Sequence, residues 1–240
     1  MWMDEIQAFT ENVWIVDGPR VRDMGEWFTT RMTVVKLSSG SLWLNSPVSL
    51  PPGTLEWIKA MGAVRYLVAA TPRHIWRLEK WHGLFPDAEL WVTPQILNRF
   101  KLMMVLPRQK LCYTGILGSE PPVVWASDLE QLVFEGSHLF KEVFFFHRKS
   151  RTVIVDDMVQ IHPLEKGKPF LNLLINLVGA GNNRAVTALG IRMTFTNRKL
   201  ARQSLEKLLS WDFDRLIIAH GPCIQKDAKP SVERAFRWLR

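Results

Sequence analysis

The chain has 240 residues, 47% of them hydrophobic and 22% charged, with 14 Gly and 14 Pro, a composition that excludes a disordered, collagen-like or coiled-coil protein. The length suffices for an ample core without staples, and two cysteines, Cys112 and Cys223, are too few for a disulfide framework and fit a reducing compartment. Lys and Arg number 31 against 23 Asp and Glu, a charge of +8 that favours anionic partners; spread along the chain rather than gathered in one block, it argues against a nucleic-acid surface and leaves an unidentified small-molecule or anionic ligand as the expected partner.

Asp4 and Glu5 stand where a secretory signal would be basic, and no apolar core follows them. The longest apolar stretch, Phe170–Ala180, holds two Asn and is too short to span a bilayer, so a cytoplasmic protein is expected. Val13–Val16 and Met32–Leu37 read as short strands, and Ser41–Leu44 as a third after the turn Ser38-Ser39-Gly40. Pro51-Pro52-Gly53 opens a helix over Thr54–Met61, with Leu55, Ile58 and Met61 on one side, and Gly62 ends it. Val64–Ala70 is apolar except for Arg65, the pattern of a strand buried on both faces. Thr71-Pro72 breaks it, and a helix through about His82 follows. Glu89–Val92 reads as another strand, and Pro94 starts a helix with Gln95–Lys101 behind it.

Strand signals resume at Leu132–Glu135, Glu142–His147 and the β-branched Thr152–Val155, the last two joined by a turn at Arg148–Arg151. Pro169–Val178 is helical and weakly amphipathic, and Gly179–Asn183 is a loop. Asn197–Leu209 predicts a helix burying Leu200, Leu205 and Leu208. Arg215–Ala219 is the last strand, and Ser231–Leu239 a final helix capped by Ser231. With no Pro-, Gly- or Ser-rich linker, a single domain over residues 1–240 is expected. Strands and helices alternate in two successive sets, which favours two packed sheets with helices outside.

There are six histidines. His74 follows the strand Val64–Ala70, His220 closes Arg215–Ala219, and His138 precedes the strand from Glu142. Asp157 ends the strand from Thr152. A hairpin about Arg148–Arg151 brings Lys141 and Glu142 opposite Asp156 and Asp157, which places His138 beside Asp157 and His147 at the far turn. Three imidazoles and a carboxylate on loops at one sheet edge suit one divalent metal. The plainer alternative for each histidine is a surface or hydrogen-bonded core role.

This arrangement resembles the metallo-β-lactamase superfamily. Asn12–Gly18 looks like its first strand. Gly40–Pro47 matches the strand where the family usually has an aspartate, here Asn45. Ala70–Arg77 takes the place of the His-x-His-x-Asp-His motif. Ser137-His138 and the strand after it match the Gly-His motif, Val155-Asp156-Asp157 the bridging aspartate, and Ala219-His220-Gly221-Pro222 the terminal histidine. Gly40–Pro47, Phe85–Ala88 and Glu142–Asp157 look more closely like an uncharacterised branch found in bacteria and plants, which has no agreed activity. The resemblance implies an α/β (α+β) fold, the four-layer αββα sandwich of the metallo-β-lactamase type.

Departures from the family pattern narrow the implied function. Pro72, Trp76 and Arg77 replace the first histidine, the aspartate and the last histidine of the second motif, and the lost aspartate and last histidine belong to a second metal. What the resemblance leaves is one ion, zinc or iron, on His74, His138, Asp157 and His220, or no ion at all. Arg77 repels a second cation and is free to pair with Asp157, as is Arg73. Alternatively, both are solvated charges, or both draw a phosphate or carboxylate into the groove beside Trp76. Trp76 and Trp81 flank that groove and either stack on a ligand or belong to the core. His162, five residues past Asp157, is a substitute ligand or a surface residue. The implied functions are a mononuclear metal-dependent hydrolase of unknown substrate, with Arg77, Arg73 and Trp76 binding it, and a catalytically inactive relative kept as a binding or scaffold module.

Overall fold

In the computed structural model of the chain, residues 6–23, 26–49, 53–75, 77–95, 113–162 and 184–240 are described. Seven strands form the first sheet in chain order: β1 Ile6–Thr10, β2 Val13–Asp23, β3 Glu26–Lys36, β4 Leu42–Asn45, β5 Val64–Ala69, β6 Glu89–Val92 and β7 Gly115–Ile116. The second sheet contains β8 Leu129–Phe134, β9 Glu142–His147, β10 Thr152–Val155 and a later strand, with β11 Gln160–Ile161 and β12 Ala185–Val186 pairing apart. That later strand, β13 Arg215–Ile218, lies at the sheet edge beside β10, giving the order β13-β10-β9-β8. The helices are α1 Thr54–Met61, α2 Leu78–Leu84, α3 Leu189–Arg192, α4 Arg198–Ser210 and α5 Lys229–Ala235.

The period-two alternation of apolar residues divides the interior into layers. Trp43 and Val68 of the first sheet meet Phe145, Ile154 and Ile217 of the second in the seam between the sheets. Their neighbours point the other way: Leu42, Leu44 and Leu67 pack with Ile58 and Trp81 of α1 and α2. Phe144, Val153, Leu216 and Ile218 pack with Leu208 of α4 and Val232 of α5. Both faces of β4, β9, β10 and most of β13 are therefore buried, which is why their sequences read as continuous apolar runs. Each large apolar side chain in these layers contributes roughly 1.5–3 kcal/mol by leaving water.

Two parallel pairs place the site. β4 runs parallel to β5, and β10 parallel to β13. The sheets are also tied at the ends of these strands, where the Val143 N–H donates to the Ala70 carbonyl at 2.9 Å. The loops after β4, β5, β10 and β13 are consequently neighbours.

Several elements differ from the sequence reading. β2 and β3 run for 11 residues each, much longer than Val13–Val16 and Met32–Leu37, because Gly18-Pro19 forms a bulge rather than an end. The segment Thr71–Ile75 is a series of turns, its Thr71 hydroxyl accepting the Arg73 N–H, and α2 starts only at Leu78. Leu200 is 41% exposed, and the buried stripe of α4 runs through Ala201, Ser204 and Leu208. Ser204 sits inside because its hydroxyl accepts the Glu135 N–H and donates to the Leu200 carbonyl. Pro230 in the first turn starts α5 at Lys229 rather than Ser231, and Arg237–Leu239 is a separate 3-10 turn. The expected helices over Gln95–Lys101 and Pro169–Val178, the loop Gly179–Asn183 and Cys112 lie wholly or almost wholly outside the described residues. No helix among the described residues is long and apolar enough to cross a membrane.

His147, at the turn as expected, is buried with its Nδ1 2.7 Å from the Ser150 hydroxyl. Burial pulls its pKa below 6.5, Asp128 pushes up and Lys149 pushes down. The unfolded chain, titrating near 6.5, takes up a proton on acidification that the folded chain resists, so this contribution to stability is complete above about pH 6.5 and is lost as pH falls. Urea unfolding at pH 7.5 and 5.5 is expected to show a smaller acid loss in His147→Asn than in the parent; equal losses contradict it.

Candidate metal centre

His74, Asp157 and His220 converge, one ligand atom of each lying within 4.8 Å of the others. The turns after β5 present His74, the end of β10 presents Asp157, and the end of β13 presents His220. His220 Nε2 is 3.1 Å, and His74 Nε2 3.5 Å, from Asp157 Oδ1. Donors sharing one tetrahedral ion at about 2.0–2.2 Å are about 3.4 Å apart, so both separations suit a common cation.

The surrounding hydrogen bonds decide which atoms face inward. His220 Nδ1 is 2.8 Å from the Thr29 carbonyl, an acceptor only, so Nδ1 carries the proton and Nε2 turns its lone pair on Asp157. The Ser46 hydroxyl donates to Asp156 Oδ2 at 2.5 Å, so its oxygen accepts from His74 Nδ1 at 3.0 Å, and His74 Nε2 likewise faces Asp157. Thr71 donates to Asp157 Oδ2 at 2.7 Å, leaving Oδ1 for the centre. Three acceptor atoms thus meet at a point where only a proton or a cation relieves them. The residues present therefore fit a metal ion, with two imidazoles and one carboxylate as donors. Without one, burial pulls His74 down, but Asp157 and Asp156 outweigh it and push its pKa up to about 10. Burial pushes Asp157 up, while the His74 charge, the close approach of the His220 and His74 rings, and Arg73 hold it well below the usual carboxylate range.

A second tier holds the carboxylates. Asn45 Nδ2 donates to both Asp156 oxygens, at 3.0 and 3.2 Å. A carboxylate at position 45 would instead face Asp156 with like charge. Ser46, which contacts both Asp156 and His74, has a left-handed backbone at φ 56°, a strained conformation for a non-glycine. The β9–β10 register carries Glu142 to the turn after β10, where its buried carboxylate accepts the N–H groups of Asp156, Asp157 and Met158, the nearest at 2.5 and 2.7 Å. Burial, then Asp157 and Asp156, raise the Glu142 pKa well above its ordinary value, against those N–H bonds.

His138 does not join the group. It is exposed, with Nδ1 2.8 Å from the Thr194 carbonyl. Its neighbour Ser137 takes the inward position, donating to Thr194 Oγ1 and accepting the Leu139 and Phe140 N–H groups, so the next side chain points out. The strand register did bring Glu142 opposite Asp157, but the loop before β9 turns the imidazole away. His162 Nε2 meets Gln160 Oε1 at 3.0 Å, and it too lies outside the cluster. Arg77 does not pair with Asp157; its Nε donates to the Ser49 hydroxyl at 2.8 Å. Trp81 is core, donating to the Val48 carbonyl and stacked on Phe85, and Trp76 lies outside the described residues.

Above the three donors opens a cavity of about 200 Å³, lined by all three together with Arg31, Arg73, Arg77, Ser49 and the apolar Pro19, Val21, Pro47 and Val48. Arg31 is engaged on every side: it pairs with Asp17 at 2.6 Å and donates to the Ile218 and Gly221 carbonyls at 2.6 and 2.8 Å, fastening β3 to the end of β13. Gly221 is required beside His220, since its φ is +119° and a Cβ there would lie 2.1 Å from the Ile161 carbonyl oxygen.

Solved structures share this architecture. A metallo-β-lactamase from Pontibacter korlensis aligns over 98% of this chain and 98% of its own, with a TM-score of 0.64 at 13% identity. The metallo-β-lactamase FIM-1 from Pseudomonas aeruginosa, in a mono-zinc form, covers 98% and 96% with a TM-score of 0.63 at 13% identity. A metallo-β-lactamase from Erythrobacter litoralis covers 98% and 91% with a TM-score of 0.60, also at 13% identity. At such identities the likeness is one of fold. No curated protein matches the sequence. The pattern of the family described as a domain of unknown function, DUF4336, matches residues 11–172, about two-thirds of the chain. With its two sheets, outer helices and convergent His74, Asp157 and His220, the chain has the metallo-β-lactamase fold and belongs to the DUF4336 family.

Proposed function

We propose that the protein is a mononuclear metal-dependent hydrolase, with His74, Asp157 and His220 holding one zinc or iron ion. The observation that carries this reading is that outer hydrogen bonds aim three acceptor atoms at one point on a cavity wall. Two imidazoles and a carboxylate suit both metals, and three protein donors, unlike four, are the number found in open catalytic sites. An ion held there would supply Lewis-acid chemistry, polarising a carbonyl or phosphoryl oxygen and acidifying a water. The protein's own part is orientation. Thr29 and Ser46 fix the imidazole tautomers, Thr71 fixes the free carboxylate oxygen, and Asn45 and Ser46 steady Asp156 behind His74. Such outer partners are worth about 10–100-fold in metal affinity or activity.

The test is hydrolysis of chromogenic carboxylate and phosphate esters by protein loaded with zinc or ferrous iron. Turnover that disappears in Asp157→Ala and in chelator is expected. A protein that takes up an ion but hydrolyses none of these esters, or takes up none, leaves the fold as a binding module.

A further inference from the structure

We propose that the cavity takes a phosphate ester, its phosphoryl group gripped by Arg77, Arg73 and Ser49 and its organic part lying on Pro19, Val21, Pro47 and Val48. This deepens the hydrolase reading, on which the word substrate rests, but the grip itself stands on separate residues.

The charges around the cavity carry the inference. Of its three arginines, Arg31 is matched by Asp17. Arg73, next in the chain to His74, lines the same wall of the cavity. Arg77 is partly buried and its partner is the neutral Ser49 hydroxyl; no carboxylate pairs with it among the described residues. A guanidinium drawn out of water without a matching anion is costly, and an incoming oxyanion relieves that cost. Ser49, having accepted from Arg77, keeps its hydroxyl hydrogen for a second acceptor. Two guanidinium groups four residues apart and a hydroxyl from the opposite loop offer donors in several directions, which suits the three oxygens of a phosphoryl group better than a planar carboxylate. At about 200 Å³ the cavity lies below the roughly 300–1,000 Å³ of sites for drug-sized ligands, so the ester is small.

The experiment is calorimetric titration of the full chain, freed of metal with chelator, with inorganic phosphate, phenyl phosphate and benzoate. Saturable binding is expected for both phosphates, phenyl phosphate being at least as tight, with benzoate weaker. Arg77→Gln is expected to weaken phosphate roughly tenfold or more, whereas Arg65→Gln, at an exposed position on β5, matches the parent. Should Arg77→Gln lose its fold by circular dichroism, Ser49→Ala is read instead and is expected to weaken phosphate several-fold. No saturable phosphate binding, unchanged binding in the variant read, tighter binding of benzoate than of phenyl phosphate, or binding that needs added zinc would each overturn the proposal. A chain that binds phosphate but no ion sinks the hydrolase reading and leaves this one standing; one that binds an ion but no phosphate does the reverse.

Discussion

Glu142→Ala is expected to destabilise the protein by about 3–5 kcal/mol, because it strips the acceptor from three buried backbone N–H groups at once. No water-exposed alternative exists for them: Glu142, Asp156 and Asp157 are each at most 3% exposed. Glu142→Gln keeps the volume and one acceptor oxygen but turns an amide NH₂ towards the same donors, so it should fall between the parent and the alanine variant. Urea unfolding gives the order directly. With a slope of about 1–3 kcal/mol per molar, the alanine variant should shift the midpoint by more than about 1 M. A shift corresponding to less than 1 kcal/mol in Glu142→Ala would show that the turn after β10 holds itself. The same variant tests whether Asp157 depends on the turn: if Asp157 is a ligand, a loosened turn is expected to lower the ion content per chain below the parent's.

Ion content in two histidine variants is the second large effect. His220→Ala removes one of three donors and is expected to cut bound zinc or iron from about one ion per chain to near none, a loss of affinity beyond the roughly 10–100-fold typical of an outer partner. His138→Ala, at an exposed ring set against Thr194, is expected to leave ion content unchanged. Elemental analysis after desalting separates the outcomes. Ion loss in His138→Ala equal to that in His220→Ala would reinstate a four-donor site. Full retention in His220→Ala would remove the three-donor one.

Much of this architecture was legible from alternation and turn residues. Thr54–Met61, Glu89–Val92, Glu142–His147 and Thr152–Val155 have the limits expected of them, because each apolar run is bounded by Gly, Pro or a turn. Asp157 and His220 could be placed at one edge because both end strands. The side a loop residue faces has no period to reveal it: Ser137 and His138 are adjacent, and a single hydroxyl capping two N–H groups settles which one points in. The second tier was also hidden. Asn45, Ser46 and Thr71 are common loop polar residues whose role emerges only when Asp156 and Asp157 arrive from more than 80 residues away. Glu142 was the exception, since the hairpin register already set it across from Asp157.

The donors come from both halves of the sandwich, His74 from the first sheet and Asp157 and His220 from the second. Filling them clasps two layers otherwise joined mainly by the oily seam around Trp43 and Phe145. Occupancy is thereby linked to the unfolding of the whole chain: a ligand at a hundred times its dissociation constant adds about 2.7 kcal/mol. A melting curve thus becomes a sensor that ranks ions and small anions for this protein before any reaction is known.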